Sequence, residues 1–188
     1  MTEPVLFFES AEAWEEWLAD NHDSSGGVRV KIAKKGTGIA TVAYPEVLDV
    51  AISYGWIDGV RNALDETHFL QRFTPRGPRS KWSKINRQKA EEMIEAGYMK
   101  PAGMREVERA REDGRWEAAY DSQRNMKVPP DLQAELDADP GMKEFFEGLS
   151  SQNRYAFLYR LHEAKRPETR ARRFEKFVEM LKKREAFY

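Results

Sequence analysis

Apolar residues in the first third of the chain recur with two different spacings. Trp14, Trp17 and Leu18 fall at i, i+3 and i+4, the spacing of one helix face. Ser10 stands ahead of them as a good N-cap, with Glu12 in the first turn. Residues 21–27 are polar and end on glycine, a loop. Residues 28–32 (VRVKI) then alternate apolar with basic, the period-2 pattern of a half-buried strand. Lys34-Lys-Gly-Thr-Gly38 reads as a turn. Tyr44-Pro45 opens a second helix with proline near its first position. Its buried stripe is Val47, Leu48, Ala51 and Ile52, and Gly55 is placed to stop it. Residues 56–60 and 67–74 predict two more strands, although 68–73 mixes its two faces. Together these segments predict a small antiparallel sheet with two helices.

The pattern changes after Pro78. Ser83 caps a helix running to about Ala96 and stopped by Gly97, and Pro101 begins another that carries Met104 and Val107 and ends at Gly114. Residues 121–130, closing on Pro129-Pro130, form a linker. Short helices follow near 130–138 and 141–148. Ser150 or Ser151 caps a helix whose apolar face is Tyr155, Leu158, Tyr159 and His162, which makes His162 a hydrogen-bonded core residue. Pro167 starts the last helix, with Ala171, Phe174, Phe177, Val178 and Leu181 on one side. Strands first and helices after predict an α+β protein: an N-terminal half with a small antiparallel sheet and helices, and a helical C-terminal half. The division is placed at 1–82 and 83–188, with 122–130 as a linker inside the second part. There is no internal repeat and no low-complexity tract.

Composition narrows the function classes. The chain of 188 residues is 40% hydrophobic and 12% aromatic, enough for a proper core. Its 31 basic residues meet 32 acidic ones for a net charge of -1, which excludes a uniformly basic nucleic-acid binder and leaves room for a local patch. The absence of cysteine excludes thiol catalysis, disulfides and Cys-based metal sites. His22, His68 and His162 lie far apart, so no metal-ligand spacing is visible. Lys34–Gly38 lacks the spacing of a phosphate-cradling P-loop, and no Gly-x-Ser-x-Gly elbow occurs. No cofactor motif is found. The N-terminus is acidic, with only a four-residue apolar run at Val5–Phe8, unlike a secretory signal. No window reaches a membrane span. A cytoplasmic location is expected.

Three places could carry chemistry. Arg72, Arg76, Arg79, Lys81, Lys84 and Arg87 put six positive side chains within residues 72–87 and no acid, interleaved with Phe73 and Trp82. Arginine forks match carboxylate or phosphate oxygens, and the helix after Ser83 offers free N–H groups to an anion; the alternative is a solvated loop paired with acidic helices. Trp56 and Asp58 share a strand face. An aspartate beside a buried tryptophan can act as acid or base, whereas Asp-Gly more often shapes a turn. Arg170 and Arg173 are i, i+3 neighbours at a helix start, where positive charge opposes the macrodipole and calls for an acidic partner or an anion; their alternative is a solvated polar face. The candidate ligand-binding residues are therefore Trp56, Asp58, Arg72, Arg76, Lys81, Trp82, Asn86, Arg170 and Arg173. No catalytic residue is nominated.

Three stretches carry a family likeness: Tyr44-Pro45-Glu46 through Gly55-Trp-Ile-Asp-Gly59; Gln71-Arg-Phe-Thr-Pro-Arg76 followed by Trp82-Ser83-Lys84-Ile85-Asn86; and Asn153-Arg-Tyr through Ala164–Arg173. In that order and at those spacings, from about residue 5 to 185, the chain resembles the bacterial YdeI/OmpD-associated (bacteriocin-protection) family. The resemblance implies protection against bacteriocins or cationic antimicrobial peptides and a link to an outer-membrane porin. Such a link favours the periplasm, a picture from which this N-terminus departs. It assigns no catalytic residue. The sequence points to a non-enzymatic binding or stress-protection protein whose partner is a small anionic ligand or another protein. The alternatives are an enzyme acting on a phosphorylated or carboxylated small molecule, with Asp58 as acid or base near Arg72 or Arg76, and a nucleic-acid-binding protein using both basic segments. The balanced charge makes nucleic acid the less favoured partner.

Overall fold

The computed structural model describes residues 3–122 and 125–188. Two residues of the predicted linker, 123 and 124, lie outside the described residues. The described chain forms two compact units, residues 1–119 and 120–188. The helices following Ser83 belong to the first unit, because Ala90, Val107, Ala110 and Trp116 are buried in the same core as the sheet. The division therefore falls at the 120s linker and not at residue 82.

The first unit runs β1 (Val5–Phe7), α1 (Ala11–Asn21), β2 (Val28–Ala33), α2 (Tyr44–Ser53), β3 (Trp56–Ala63), β4 (His68–Pro75), α3 (Lys84–Glu95) and α4 (Pro101–Glu112). Its sheet has the order β1-β2-β4-β3. β2–β4 and β3–β4 are antiparallel, but β1 pairs parallel to β2. The sheet is thus mixed, which corrects the expected all-antiparallel arrangement. Three residues are too few to show alternation, and α1 supplies the crossover that a parallel pair requires. β4 is flanked on both sides, and its residues from either face are buried (His68, Leu70, Gln71 and Phe73), which explains its mixed pattern.

Cross-strand pairing assigns one sheet face to Trp56, Phe73, Val28, Val30 and Ile32, all fully or nearly fully buried. The α1 stripe predicted from spacing closes onto this face. Ser10 caps α1 by accepting from the Ala13 amide at 3.3 Å. Trp14 lies with its ring centroid 5.1 Å from Phe8, 5.9 Å from Phe73 and 6.3 Å from Trp56. Each buried ring of this kind contributes on the order of 2–3 kcal/mol through apolar area alone. Both buried indoles keep their N–H groups satisfied: Trp14 donates to the Val47 carbonyl at 3.1 Å, and Trp56 to the His22 carbonyl at the end of α1 at 3.3 Å.

α4 approaches the end of α2 closely. A methyl group at Gly103 would stand 2.2 Å from the Ser53 carbonyl oxygen and 2.5 Å from the Met99 sulfur. Gly55, at φ +75°, makes the left-handed turn between α2 and β3, as its position in the sequence suggested.

The second unit is helical: α5 (Pro130–Ala138), α6 (Pro140–Gly148), α7 (Ser151–Glu163) and α8 (Pro167–Lys182). Its core is Leu132, Leu136, Met142, Phe146, Phe157, Leu158, Leu161, Phe177, Val178 and Leu181. Ser150 is the cap of α7. The buried stripe of α7 is Asn153, Phe157 and Leu161 with Ala156 and Leu158, not the Tyr155–His162 line. His162 is exposed, which corrects its expected burial: it sits in the last turn, one position past Leu161. Ala171 is likewise exposed, because α8 turns inward only from Phe174 onward. Buried Asn153 ties down the end of the chain. Its Oδ1 accepts from the Phe187 and Tyr188 amides at 3.1 and 3.0 Å, and its Nδ2 donates to the Tyr188 carbonyl at 3.0 Å. Phe187 is thereby held 4.7 Å from Phe157.

Two predictions follow from the sheet unit. Gly103→Ala forces α4 away from Ser53 and lowers stability by about 1–3 kcal/mol, whereas Gly26→Ala, which meets nothing within 4 Å, is neutral. All five tryptophans (14, 17, 56, 82 and 116) lie in this unit, so urea unfolding followed by tryptophan fluorescence reads it alone. The second concerns Asp65 in the β3–β4 turn, whose Oδ1 accepts from the Thr67 and His68 amides at 2.8 and 2.7 Å. These bonds, led by the Thr67 amide, lower its carboxyl to about 2. A depressed folded pKa gives stability that is present above the unfolded value near 3.8 and lost as pH falls toward about 2. Asp65→Ala therefore lowers the melting midpoint at pH 7, and the gap to wild type narrows between about pH 4 and 2. A gap that stays constant across that range would contradict the assignment.

Candidate functional site

β3 does not alternate evenly. Asp58 pairs with Phe73, but Arg61 pairs with Gln71, so three steps on β3 match two on β4. This β-bulge inserts one residue and reverses the facing of everything after it. Without it, Val60 would share the face of Trp56 and Asp58. With it, Val60 is 65% exposed, and Arg61 and Ala63 turn to the helix side. Buried Gln71 braces the bulge. Its Nε2 donates to the Gly59 carbonyl at 2.8 Å, and its Oε1 accepts from Arg61 Nε at 3.3 Å.

Arg61 is thereby fixed between two aromatic faces. Its guanidinium carbon lies 4.2 Å from the Phe69 ring centroid and 4.9 Å from that of Tyr44, a geometry that cation–π attraction favours. Nε is engaged by Gln71, while the two terminal nitrogens make no hydrogen bond to any described residue. Tyr44 in turn donates its hydroxyl to Asp58 at 2.9 Å. Burial first, and then the Asp58 charge, push the Tyr44 hydroxyl well above its ordinary pKa, so it stays a neutral donor.

Arg61, Tyr44 and Phe69 line a cleft of about 820 Å³. The end of β2 (Ile32, Ala33), the loop through Lys34–Gly38 and Ile39 to Val42, and the start of α2 (Tyr44, Pro45) complete its wall. The loop is held at both ends: the Lys34 amide donates to the Thr67 carbonyl at 2.7 Å and the Val42 amide to the Phe8 carbonyl at 3.2 Å. The Glu46 carboxylate turns back to accept from the Ala43 amide at 2.8 Å, capping α2. The lining contains three cations, Lys34, Lys35 and Arg61, and no carboxylate. Lys34 Nζ donates to the Asp65 carbonyl at 2.8 Å, whereas Lys35 is exposed and makes no side-chain hydrogen bond among the described residues. A second cleft, of about 650 Å³ in the helical unit, carries both Glu147 and Arg154 in its wall and has no such sign preference.

The candidates drawn from the sequence are dispersed by the fold. Trp56 is core. Asp58 lies within β3 and binds Tyr44, so it is not a turn-former; Asp65 fills that role. Arg72 makes a two-pronged contact with Glu3, Nε to Oε1 at 2.8 Å, and the strand register puts it on the sheet face opposite Asp58. Arg76 is buried flat against Trp82, 3.5 Å from the ring centroid, and donates to the Lys81 carbonyl at 3.1 Å. Trp82 is 1% exposed and meets Trp116 edge-on. Lys81 is exposed and Asn86 is buried, its amide capped by Ser83. Among the described residues, Trp82 Nε1, Arg109 Nε and Arg115 Nη2 are buried donors with no hydrogen-bond acceptor. Arg170 binds Asp131 at 2.6 and 3.0 Å, and Arg173 donates to the Arg160 carbonyl at 2.6 Å. The acidic partner that the α8 macrodipole called for is thus Asp131, whose carboxyl the Arg170 hydrogen bond holds below its usual value. Among the described residues, no three His, Asp or Glu side chains gather to hold a metal ion, and no helix is long and apolar enough to cross a membrane.

Sequence reasoning missed Arg61, Lys35 and Gln71. The only available signal was Gly59, since a glycine inside a strand pattern can mark a bulge.

The fold and cleft define a two-unit α+β protein with a cationic, aromatic-walled cleft in its sheet unit and a separate helical unit. Residues 6–106, just over half of the chain, match the family described as "Domain of unknown function (DUF8412)", and residues 125–184 match "Bacteriocin-protection, YdeI or OmpD-Associated". The chain belongs to the first of these families, through its sheet unit, and its helical unit is similar to the second. Of the three stretches that carried the resemblance, the one from Asn153 to Arg173 lies within the bacteriocin-protection match, and the other two lie within residues 6–106. No curated protein and no solved structure is detectably similar to the chain.

The bracing role of Gln71 can be checked directly. Gln71→Leu keeps the volume but removes both hydrogen bonds, at a cost of about 1 kcal/mol. The Arg61 Nε–H should then exchange faster with solvent in a nitrogen-resolved NMR spectrum. An unchanged exchange rate would show that Gln71 does not hold Arg61.

Proposed function

We propose that this protein is a non-enzymatic binding protein whose sheet unit takes a small anionic molecule in the Arg61 cleft. One observation carries the reading: among the described residues, three cations and no acid line the cleft, and the exposed Arg61 guanidinium is oriented by Gln71 and two rings while its terminal nitrogens make no hydrogen bond. A fixed guanidinium gives up little conformational freedom on binding, so more of its attraction appears as affinity. The likeness of the helical unit to the bacteriocin-protection family supports a role in stress protection, with the bound anion or a protein partner as its means.

The reading is tested by thermal unfolding, followed by tryptophan emission, with inorganic phosphate or acetate added against chloride at matched ionic strength. A ligand that binds only the folded state raises the midpoint with the logarithm of its concentration. The expected result is a rise with one of these anions that chloride does not produce and that Arg61→Ala abolishes. A rise of equal size in Arg61→Ala, or none in wild type, would sink the proposal.

A further inference from the structure

We infer that the cleft is built for an amphipathic carboxylate: a single carboxylate head carried on an apolar body. The inference rests on the anion-binding reading and names the class of molecule. The head follows from Arg61. With Phe69 and Tyr44 beside the guanidinium plane and Nε tied to Gln71, the terminal nitrogens remain as one flat, two-pronged edge. Two coplanar N–H groups match the two oxygens of a carboxylate. A phosphate head presents three oxygens out of plane and calls for further fixed donors. The other cations are not fixed toward such a head, because Lys34 is tied to the Asp65 carbonyl and exposed Lys35 has no partner among the described residues to hold it.

The body follows from the rest of the wall. Away from the cations, the accessible apolar part of the wall is Ile39, Pro45, Ala63 and Phe69, with Thr37, Thr41 and Tyr44 as its polar members. Ile39 is 40% exposed on the loop that forms the rim. A simple ion would leave that apolar surface wet, while an attached hydrocarbon or ring would cover it. Each methylene fully removed from water strengthens binding about fourfold. The absence of any acid in the lining suits the single negative charge of the head.

The test is titration calorimetry of the full chain with octanoate, acetate and inorganic phosphate, on wild type, Ile39→Ser and Arg61→Ala. Ile39 is a rim residue, so its substitution leaves the core intact. Octanoate should bind wild type at least tenfold more tightly than acetate. Ile39→Ser should weaken octanoate several-fold and leave acetate unchanged, and Arg61→Ala should remove both. If acetate or phosphate binds through Arg61 but octanoate is no tighter than acetate, the ligand class is wrong and the anion-binding reading stands. If none of the three binds wild type, or if Arg61→Ala binds them equally well, the reading fails and this inference falls with it.

Discussion

One extra residue in β3 decides what this protein can present to a ligand. The bulge between Asp58 and Arg61 reverses the strand's facing, sending an apolar side chain, Val60, to solvent and an arginine to the helix side. That exchange costs hydrophobic burial and interrupts the ladder at Gly59, and Gln71 offsets the second cost by bonding the exposed carbonyl. The same amide then holds Arg61 Nε. The cleft is therefore a property of sheet register, and its central cation is oriented from behind by the strand next door.

The surroundings of the bulge are stiff. Trp14 joins α1 to α2 through the Val47 carbonyl, and Trp56 joins the sheet to the end of α1 through the His22 carbonyl, so α1 cannot slide along the sheet without breaking a hydrogen bond. Gly103 brings α4 against the end of α2 at backbone distance. The loop that walls the cleft is fastened at Lys34 and Val42 and open between them. The helical unit obtains its own rigidity separately, from an aromatic core closed by the tail that Asn153 binds.

Charge is used in two ways. Most of the conspicuous arginines serve the fold: Arg72 pairs with Glu3, Arg170 with Asp131, and Arg76 lies under an indole. Partly exposed pairs of this kind stabilise by about 1 kcal/mol or less, but they neutralise the cations involved. Among the described residues, Arg61 and Lys35 stand outside that network, because no carboxylate lines their cleft. A cation left unpaired by its own protein is the one available to a ligand.

Most of the fold was legible from sequence, because local rules govern it. Caps at Ser10, Ser83 and Ser150, prolines at helix starts, stop glycines at 55, 97 and 114, and the alternation in β2 each act over a few residues, and each reappears in the structure. The three-residue β1 and the exposure of His162 were beyond such rules, being set by which neighbours arrive. The site was hidden for a sharper reason. Period-2 alternation assigns Arg61 to the outer face, and only the pairing of β3 with β4 reveals the inserted residue that puts it on the face of Gln71 and Phe69. The density of basic residues in 72–87 pointed elsewhere, since a sequence counts charges but does not record which acids fold back onto them. Local sequence rules thus account for the elements and the α+β class, and the Asn153–Arg173 stretch for the likeness of the helical unit to the bacteriocin-protection family. Which arginine faces the cleft with its terminal nitrogens unengaged among the described residues followed from strand pairing, because facing and pairing are relations between segments distant along the chain.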